Sequence, residues 1–283
     1  MILPLTFTKA QALGNDFVII DDRTGRISLT PAEISEVCDR RRGVGADGIL
    51  LLQPSTAAAF LMRTLNSDGT EAEMCGNGIR CAAKYAFDTG LARQTEMLIE
   101  TKAGLRAIEI VTENDGLAET IRVDLGAPSF ERASIPMTGP ASEAVRERLV
   151  VDGASLEVTA LSMGNPHVVT FVDDISQADV ARFGPLIEND EAFPERTNVE
   201  FVQVTSRAGL RLRVWERGAG ETTACGTGAA AAVVASSLAG LTDRVTRVSL
   251  MGGDLAVEWA EGGHVYITGD AALVFTGTIG SIL

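Results

Sequence analysis

Cys75-Gly76-Asn77-Gly78 and Cys225-Gly226-Thr227-Gly228 stand 150 positions apart, and each opens a run that reads as a helix. Each run closes at the same distance with Gly-Leu, at Gly90-Leu91 and Gly240-Leu241. The offset extends outward: Gly14-Asn15 returns as Gly164-Asn165, Val18 as Val168, Glu71 as Glu221 and Ala82 as Ala232. Between positions 71 and 91, seven of twenty-one residues equal their counterparts at 221–241 without a gap. Along the chain the matches include Cys, Gly and Asn at unchanged spacing, so a tandem duplication of about half the chain accounts for them. A period this long means two domain-sized lobes, because solenoid repeats run to about 20–50 residues.

The 283 residues suit two lobes of ordinary size, at roughly 100–150 residues per domain. An apolar fraction of 46% and a mean hydropathy of +0.16 provide material for two cores. The net charge of −14 argues against nucleic acid or an anionic membrane as partner, since both call for a basic face. Met1-Ile2-Leu3-Pro4 lacks the basic start of a secretory signal, and residues 224–241 fall short of the roughly 20 strongly apolar residues of a membrane span. Four cysteines without a compact framework suit a reducing compartment, and a cytoplasmic location is expected.

Short β-rich runs bounded by Gly, Asp or Pro lie at 17–20, 48–52, 168–172, 201–204, 210–215 and 265–267. Several alternate polar and apolar residues, which suits antiparallel sheet with one wet face. Thr30-Pro31-Ala32-Glu33 is a capping box that opens a helix over about 31–42. Further helices are expected at about 176–183 and at 141–149. The run 229–239 carries no charge on any face and should be enclosed all round, whereas the helix after Cys75 is more mixed, with Arg80, Lys84 and Asp88. The expected class is therefore α+β: two pseudo-symmetric lobes, each a mainly antiparallel rolled sheet, or barrel, around a central helix. The proline-bearing stretch 127–140 marks the boundary. The N-terminal lobe takes 1–125 and the C-terminal lobe 126–271, with the active site in the cleft between them.

A thiol at a helix start meets backbone N–H groups that have no intrahelical partner, and the positive end of the dipole. Such a thiol ionises more readily than its free pKa of about 8.5 implies. The Gly-x-Gly that follows lets backbone approach an anion, so the same N–H groups can hold a carboxylate. Two such starts facing one another would place a thiol on each side of the carbon next to that carboxylate. The chemistry that uses this is racemisation or epimerisation: one thiolate removes the α-proton and the other thiol delivers a proton to the opposite face. Cys38 and Cys81 read as small buried hydrophobes. Cysteine with two histidines in the whole chain makes a poor metal set, so no metal is expected. The Cys-x-x-Cys of a redox pair is absent, and no pyridoxal-phosphate motif is evident.

Asn66-Ser67-Asp68-Gly69 leading to Met74-Cys75-Gly76-Asn77-Gly78-Ile79-Arg80-Cys81 resembles one signature of the diaminopimelate epimerases. Trp215-Glu216-Arg217-Gly218-Ala219-Gly220-Glu221-Thr222 leading to Ala224-Cys225-Gly226-Thr227-Gly228 resembles the other. Gly14-Asn15-Asp16-Phe17 and Gly164-Asn165-Pro166-His167 match the same family, so the likeness spans nearly the whole chain. It implies a cofactor-independent interconversion of LL- and meso-2,6-diaminopimelate in bacterial lysine and peptidoglycan-precursor synthesis, by a homodimer. It also implies that the last strand, from about residue 272 to 283, returns to the first lobe.

Carried over position by position, the resemblance makes Cys75 the proton donor and Cys225 the acceptor from LL to meso, with His167 and Glu216 assisting the thiols. Gly76, Asn77, Gly226 and Thr227 become the carboxylate-holding helix starts, and Asn15, Asn66, Asn165, Asn198, Glu216 and Arg217 the substrate binders. Arg217 can grip a carboxylate bidentately and Glu216 can face an ammonium. By the 150 offset, His167 stands opposite Phe17, Glu216 opposite Asn66, and Asn198 opposite Gly48, where some relatives carry Gln. The proline-racemase group remains a rival, although it has His after the first Cys-Gly where this chain has Asn77. A protein that merely binds a small amino acid is the rival from another class, with no need of two thiols.

Overall fold

Residues 17–20 and 48–52 are continuous apolar runs because their strands are covered on both faces. In the computed structural model, which describes residues 4–140 and 142–280, β2 (Asn15–Asp21) and β3 (Gly48–Gln53) pair in parallel, with Phe17 opposite Gly48. One face meets α1 (Pro31–Cys38), where Val18, Ile20, Ile49 and Leu51 join Ile34 and Val37 in a buried cluster. The other faces α2 (Gly76–Thr89), with Leu50 against Gly78. Helices on both sides of a parallel pair produce this unbroken apolar pattern.

The chain divides into two compact units, Met1–Asp124 with Thr268–Leu283, and Leu125–Ile267. In the first, β1 (Leu5–Ala12) pairs antiparallel with β2 and with β18 (Ala272–Ile279). Beyond β3 follow β4 (Phe60–Asn66), its short partner β5 (Glu71–Ala72), β6 (Glu96–Thr101), β7 (Gly104–Asn114) and β8 (Leu117–Asp124). The sheet rolls around α2, which packs on β1, β2, β3, β4, β8 and β18.

The second unit repeats the plan. Strands β9 (Glu147–Val151), β10 (Ala154–Ser162), β11 (Pro166–Phe171), β12 (Asn198–Ser206) and β13 (Gly209–Glu216) are joined by β14 (Gly220–Thr222), β15 (Val245–Leu250) and β16 (Gly253–Trp259). The enclosed helix is α4 (Gly226–Leu238), buried continuously from Gly226 to Ser236. β11 pairs in parallel with β12, His167 opposite Asn198, which is the register of Phe17 and Gly48 displaced by 150. The ion pair between Arg63 and Glu71, at 2.8 Å, recurs between Arg213 and Glu221 at 2.7 Å. The molecule is α+β, with two pseudo-symmetric units in which a mainly antiparallel rolled sheet surrounds one helix.

Three helix boundaries differ from the sequence reading. α1 stops at Cys38, not near 42, because Asp39 turns extended and its carboxylate accepts from the N–H groups of Arg41 and Arg42, both at 2.8 Å. The helix expected over 176–183 is split. A 3₁₀ turn, Ile175–Gln177, capped by Asp174, is followed by α3 (Val180–Glu188), whose Gly184 sits against Trp215. No helix forms over 142–149: Arg146 takes φ 54 and the chain enters β9, which pairs with β10. Among the described residues no helix is long and apolar enough to cross a membrane.

Candidate active site

Cys75 and Cys225 occupy the same place in their units, the N-cap of the enclosed helix. Their backbones are extended, at φ −137, ψ 115 and φ −128, ψ 114. Each sulfur accepts from the N–H three residues on, Gly78 at 3.3 Å and Gly228 at 3.4 Å. A Cβ at 78 would sit 3.5 Å from the Cys75 sulfur, an ordinary contact, whereas one at 228 would sit 3.3 Å from the Cys225 sulfur, close enough that the thiol must give by a few tenths of an ångström. Gly76, Asn77, Gly226 and Thr227 are all buried in the first turns.

In the first unit, Asn15 turns its side-chain oxygen to the Cys75 sulfur at 3.8 Å and to Asn77 Nδ2 at 3.4 Å. Asp47 fixes that orientation by accepting from Asn15 Nδ2 at 2.8 Å. Behind them Asp16 pairs with Lys9 and Arg40. Burial pushes the Asp16 carboxyl up, but these two cations outweigh it and hold it well below the usual carboxylate range. Asn77 is held from beneath by Arg80, whose Nη2 donates to its Oδ1 at 2.8 Å. Asn66, register partner of Gly48 beside Asp47, donates to Thr70 at 2.9 Å, and the N–H of its neighbour Ser67 donates to Asp47 O at 3.1 Å.

In the second unit a hydrogen-bonded chain leads to the other thiol. Glu200 Oε1 lies 2.7 Å from His167 Nδ1, and His167 Nε2 lies 3.0 Å from Asn165 Oδ1. Asn165 Nδ2 donates to Thr227 Oγ1 at 3.3 Å, and that hydroxyl is 3.5 Å from the Cys225 sulfur. Glu216 accepts from Thr222 and from Cys225; burial raises its carboxyl above the ordinary value against those two bonds. Asn198 joins the main chain at both ends of its amide, donating to Pro166 O at 2.7 Å and accepting from the Arg217 N–H at 2.9 Å. The Arg217 guanidinium is exposed and donates to Glu195 O at 3.3 Å.

A helix start by itself lowers a thiol's pKa, but Cys225 moves the other way. Burial pushes it well up, the carboxylates of Glu216 and Glu200 push further, and the Thr227 and Gly228 hydrogen bonds only partly offset them. Cys225 therefore rests as a thiol. Burial likewise lifts Cys38 to about 11 and Cys81 to about 12.

Three residues escaped the sequence reading. Glu200 is a charge inside an apolar strand run, Val199-Glu200-Phe201, and that break in pattern was its signal. Arg80 reads as the polar face of a helix, yet it is wholly buried and donates to Gly76 O, Asp270 O and Asn77. Asp47, exposed beside Gly48, carries no sequence signal. Among the described residues no cluster of His, Cys, Asp and Glu suits a metal ion.

The family model for diaminopimelate epimerase matches residues 7–131 and 159–274. A diaminopimelate epimerase of Pelotomaculum thermopropionicum is 50% identical over 273 residues, covering 96% of this chain and 97% of that protein. One from Moorella thermoacetica is 50% identical over 273 residues, covering 96% and 98%. Among solved structures, a hydroxyproline epimerase from Agrobacterium vitis superposes with a TM-score of 0.70 at 14% identity, covering 97% of this chain and 90% of that one. A PhzF-family phenazine biosynthesis protein from Bacillus anthracis gives 0.65 at 19%, covering 98% and 99%. At such identities these two speak for the fold alone. With half of all positions shared across nearly the full length of both relatives, the chain belongs to the diaminopimelate epimerase family, whose members are isomerases.

Proposed function

We propose that the protein interconverts LL- and meso-2,6-diaminopimelate by passing the α-proton between two thiols, Cys75 and Cys225, without a cofactor. The observation that carries this reading is the repeated N-cap: two sulfurs with one backbone geometry and one N–H donor, each beside a buried polar side chain at the second helical position. From LL to meso, the Cys225 thiolate takes the α-proton and the Cys75 thiol gives its proton to the opposite face. The enzyme is left as Cys225 thiol and Cys75 thiolate, ready for the reverse step. Glu216 and His167 assist by exchanging protons with the thiols, which is how a Cys225 that rests protonated reaches its basic form. The backbone N–H groups of the two helix starts share the substrate carboxylate and stabilise the carbanion beside it. Asn15, Asn66, Asn165, Asn198, Glu216 and Arg217 hold the rest of the substrate, with Arg217 as the cation for the distal carboxylate.

The test is proton exchange in D₂O without added cofactor. The protein should place deuterium on the α-carbon of LL-diaminopimelate and yield the meso isomer. Cys75→Ala and Cys225→Ala should each abolish epimerisation, and proline should not turn over. Turnover that survives loss of both thiols would overturn the mechanism.

A further inference from the structure

The reaction above makes use of His167 but gives no part to the carboxylate behind it. Glu200 and His167 are both completely buried. A buried carboxylate is unfavourable unless it is well paired. Oε1 has the His167 contact at 2.7 Å, whereas Oε2 has no hydrogen-bond partner among the described residues. The helix leaves it room only because residue 228 is glycine; a Cβ there would lie 2.8 Å from Oε1. At the equivalent places in the first unit stand Phe17 and Leu50, with Leu50 against Gly78. One unit thus fills this spot with two apolar side chains, and the other with a buried polar pair that is harder to accommodate. Stability alone does not account for the exchange.

The pair is also the far end of the chain that reaches the thiol, Glu200–His167–Asn165–Thr227–Cys225. An ionised carboxylate only accepts, so Nδ1 of the imidazole must carry a proton. Nε2 is then the one nitrogen free to change. When Nε2 bears a proton it donates to Asn165 Oδ1, Asn165 Nδ2 donates to Thr227, and the hydroxyl proton of Thr227 points to a Cys225 thiolate. When Nε2 is bare, the Asn165 amide turns over and donates to it, Thr227 donates to the amide oxygen, and the Cys225 S–H donates to Glu216. Each state of the thiol has a complete set of hydrogen bonds, and a single amide rotation separates them.

We infer that Glu200 is a positioning residue: by holding the Nδ1 proton of His167 it sets the direction of the chain that ends on Cys225. This rests on the reading of Cys225 as an acid–base group, but its first test does not.

Glu200→Leu copies the residue of the first unit; because it leaves the buried His167 without its partner, circular dichroism verifies folding and Glu200→Gln is the milder second variant. Only His167 and His264 are present, so nitrogen-15 spectra of the imidazoles report both, and His264→Gln assigns them. In the unaltered protein the spectrum should show the proton on His167 Nδ1. In Glu200→Leu the proton should move to Nε2, with His264 unchanged. kcat for epimerisation should fall about tenfold to hundredfold while KM stays within about threefold. Glu200→Gln keeps an acceptor oxygen, so it should retain the Nδ1 proton and recover most of kcat. An unchanged His167 tautomer in Glu200→Leu overturns the inference, and so does a shifted tautomer with unaltered kcat. If the unaltered protein shows no α-proton exchange at all, the proposed function fails, and the tautomer alone decides whether Glu200 orients the histidine.

Discussion

Arg80 is a cation with no exposure whose three hydrogen bonds all go to carbonyl oxygens, those of Gly76, Asp270 and the Asn77 side chain. Burial lowers its pKa, yet guanidinium keeps its charge where lysine would not. The fork ties the first turn of α2 to Asp270, the last residue of β17 (Val265–Asp270), and turns the Asn77 Nδ2 toward Asn15. Arg80→Met should lower stability by about 2–4 kcal/mol, measured by urea unfolding, because three buried acceptors lose their donor. KM should rise in the same variant, since Asn77 loses its orientation. The second thiol has the opposite surroundings. Glu216 is the leading charge that keeps Cys225 protonated after burial itself. Glu216→Gln removes that carboxylate, so Cys225 should titrate at lower pH, though still above a free thiol because burial remains. Thiolate absorbance in a Cys75→Ala background measures this, with Cys38 and Cys81 held up by burial at about 11 and about 12. An unmoved Cys225 titration would remove Glu216 from its control.

The enclosed helices depend on glycine at their third position, but for different neighbours. A Cβ at 78 would meet Leu50 Cδ2 at 3.0 Å; one at 228 would meet Glu200 Oε1 at 2.8 Å. A leucine methyl can rotate away, whereas the Glu200 oxygen is fixed to His167. Gly228→Ala should therefore reduce kcat more than Gly78→Ala, by roughly tenfold, given the sensitivity of catalytic groups to small displacements. Steady-state kinetics of the two variants, with circular dichroism to verify folding, decides it; equal losses would contradict the argument. At this scale the sequence was legible where local chemistry acts alone. The Thr30–Glu33 capping box starts α1 as its residues require. Helix ends were less legible, because tertiary partners decide them: the Asp39 carboxylate ends α1, and pairing with β10 draws 147–151 into a strand despite a helical composition.

Across the whole molecule the 150-residue offset is the strongest signal, and it survives in strand register and in the repeated Arg63–Glu71 and Arg213–Glu221 pairs. It was readable because it lies in identity and spacing, which need no coordinates. What differs between the units was only half readable. His167 and Glu216 stand out as departures from Phe17 and Asn66, but the burial of Glu200 and Arg80 depends on which strand covers which helix. The duplication places a buried cation near one thiol and two carboxylates near the other, so the equivalence of the two groups is one of backbone geometry and not of charge.

The central claim is that the thiols act on opposite faces of one carbon. The most direct measurement is deuterium incorporation by each single-thiol variant, with LL- and meso-diaminopimelate supplied separately. Cys75→Ala retains Cys225 and should exchange the α-proton of the LL isomer with retention; Cys225→Ala should do so for the meso isomer. Neither should invert its substrate. If both variants exchange the same isomer, or either one inverts it, the two sulfurs do not flank one stereocentre.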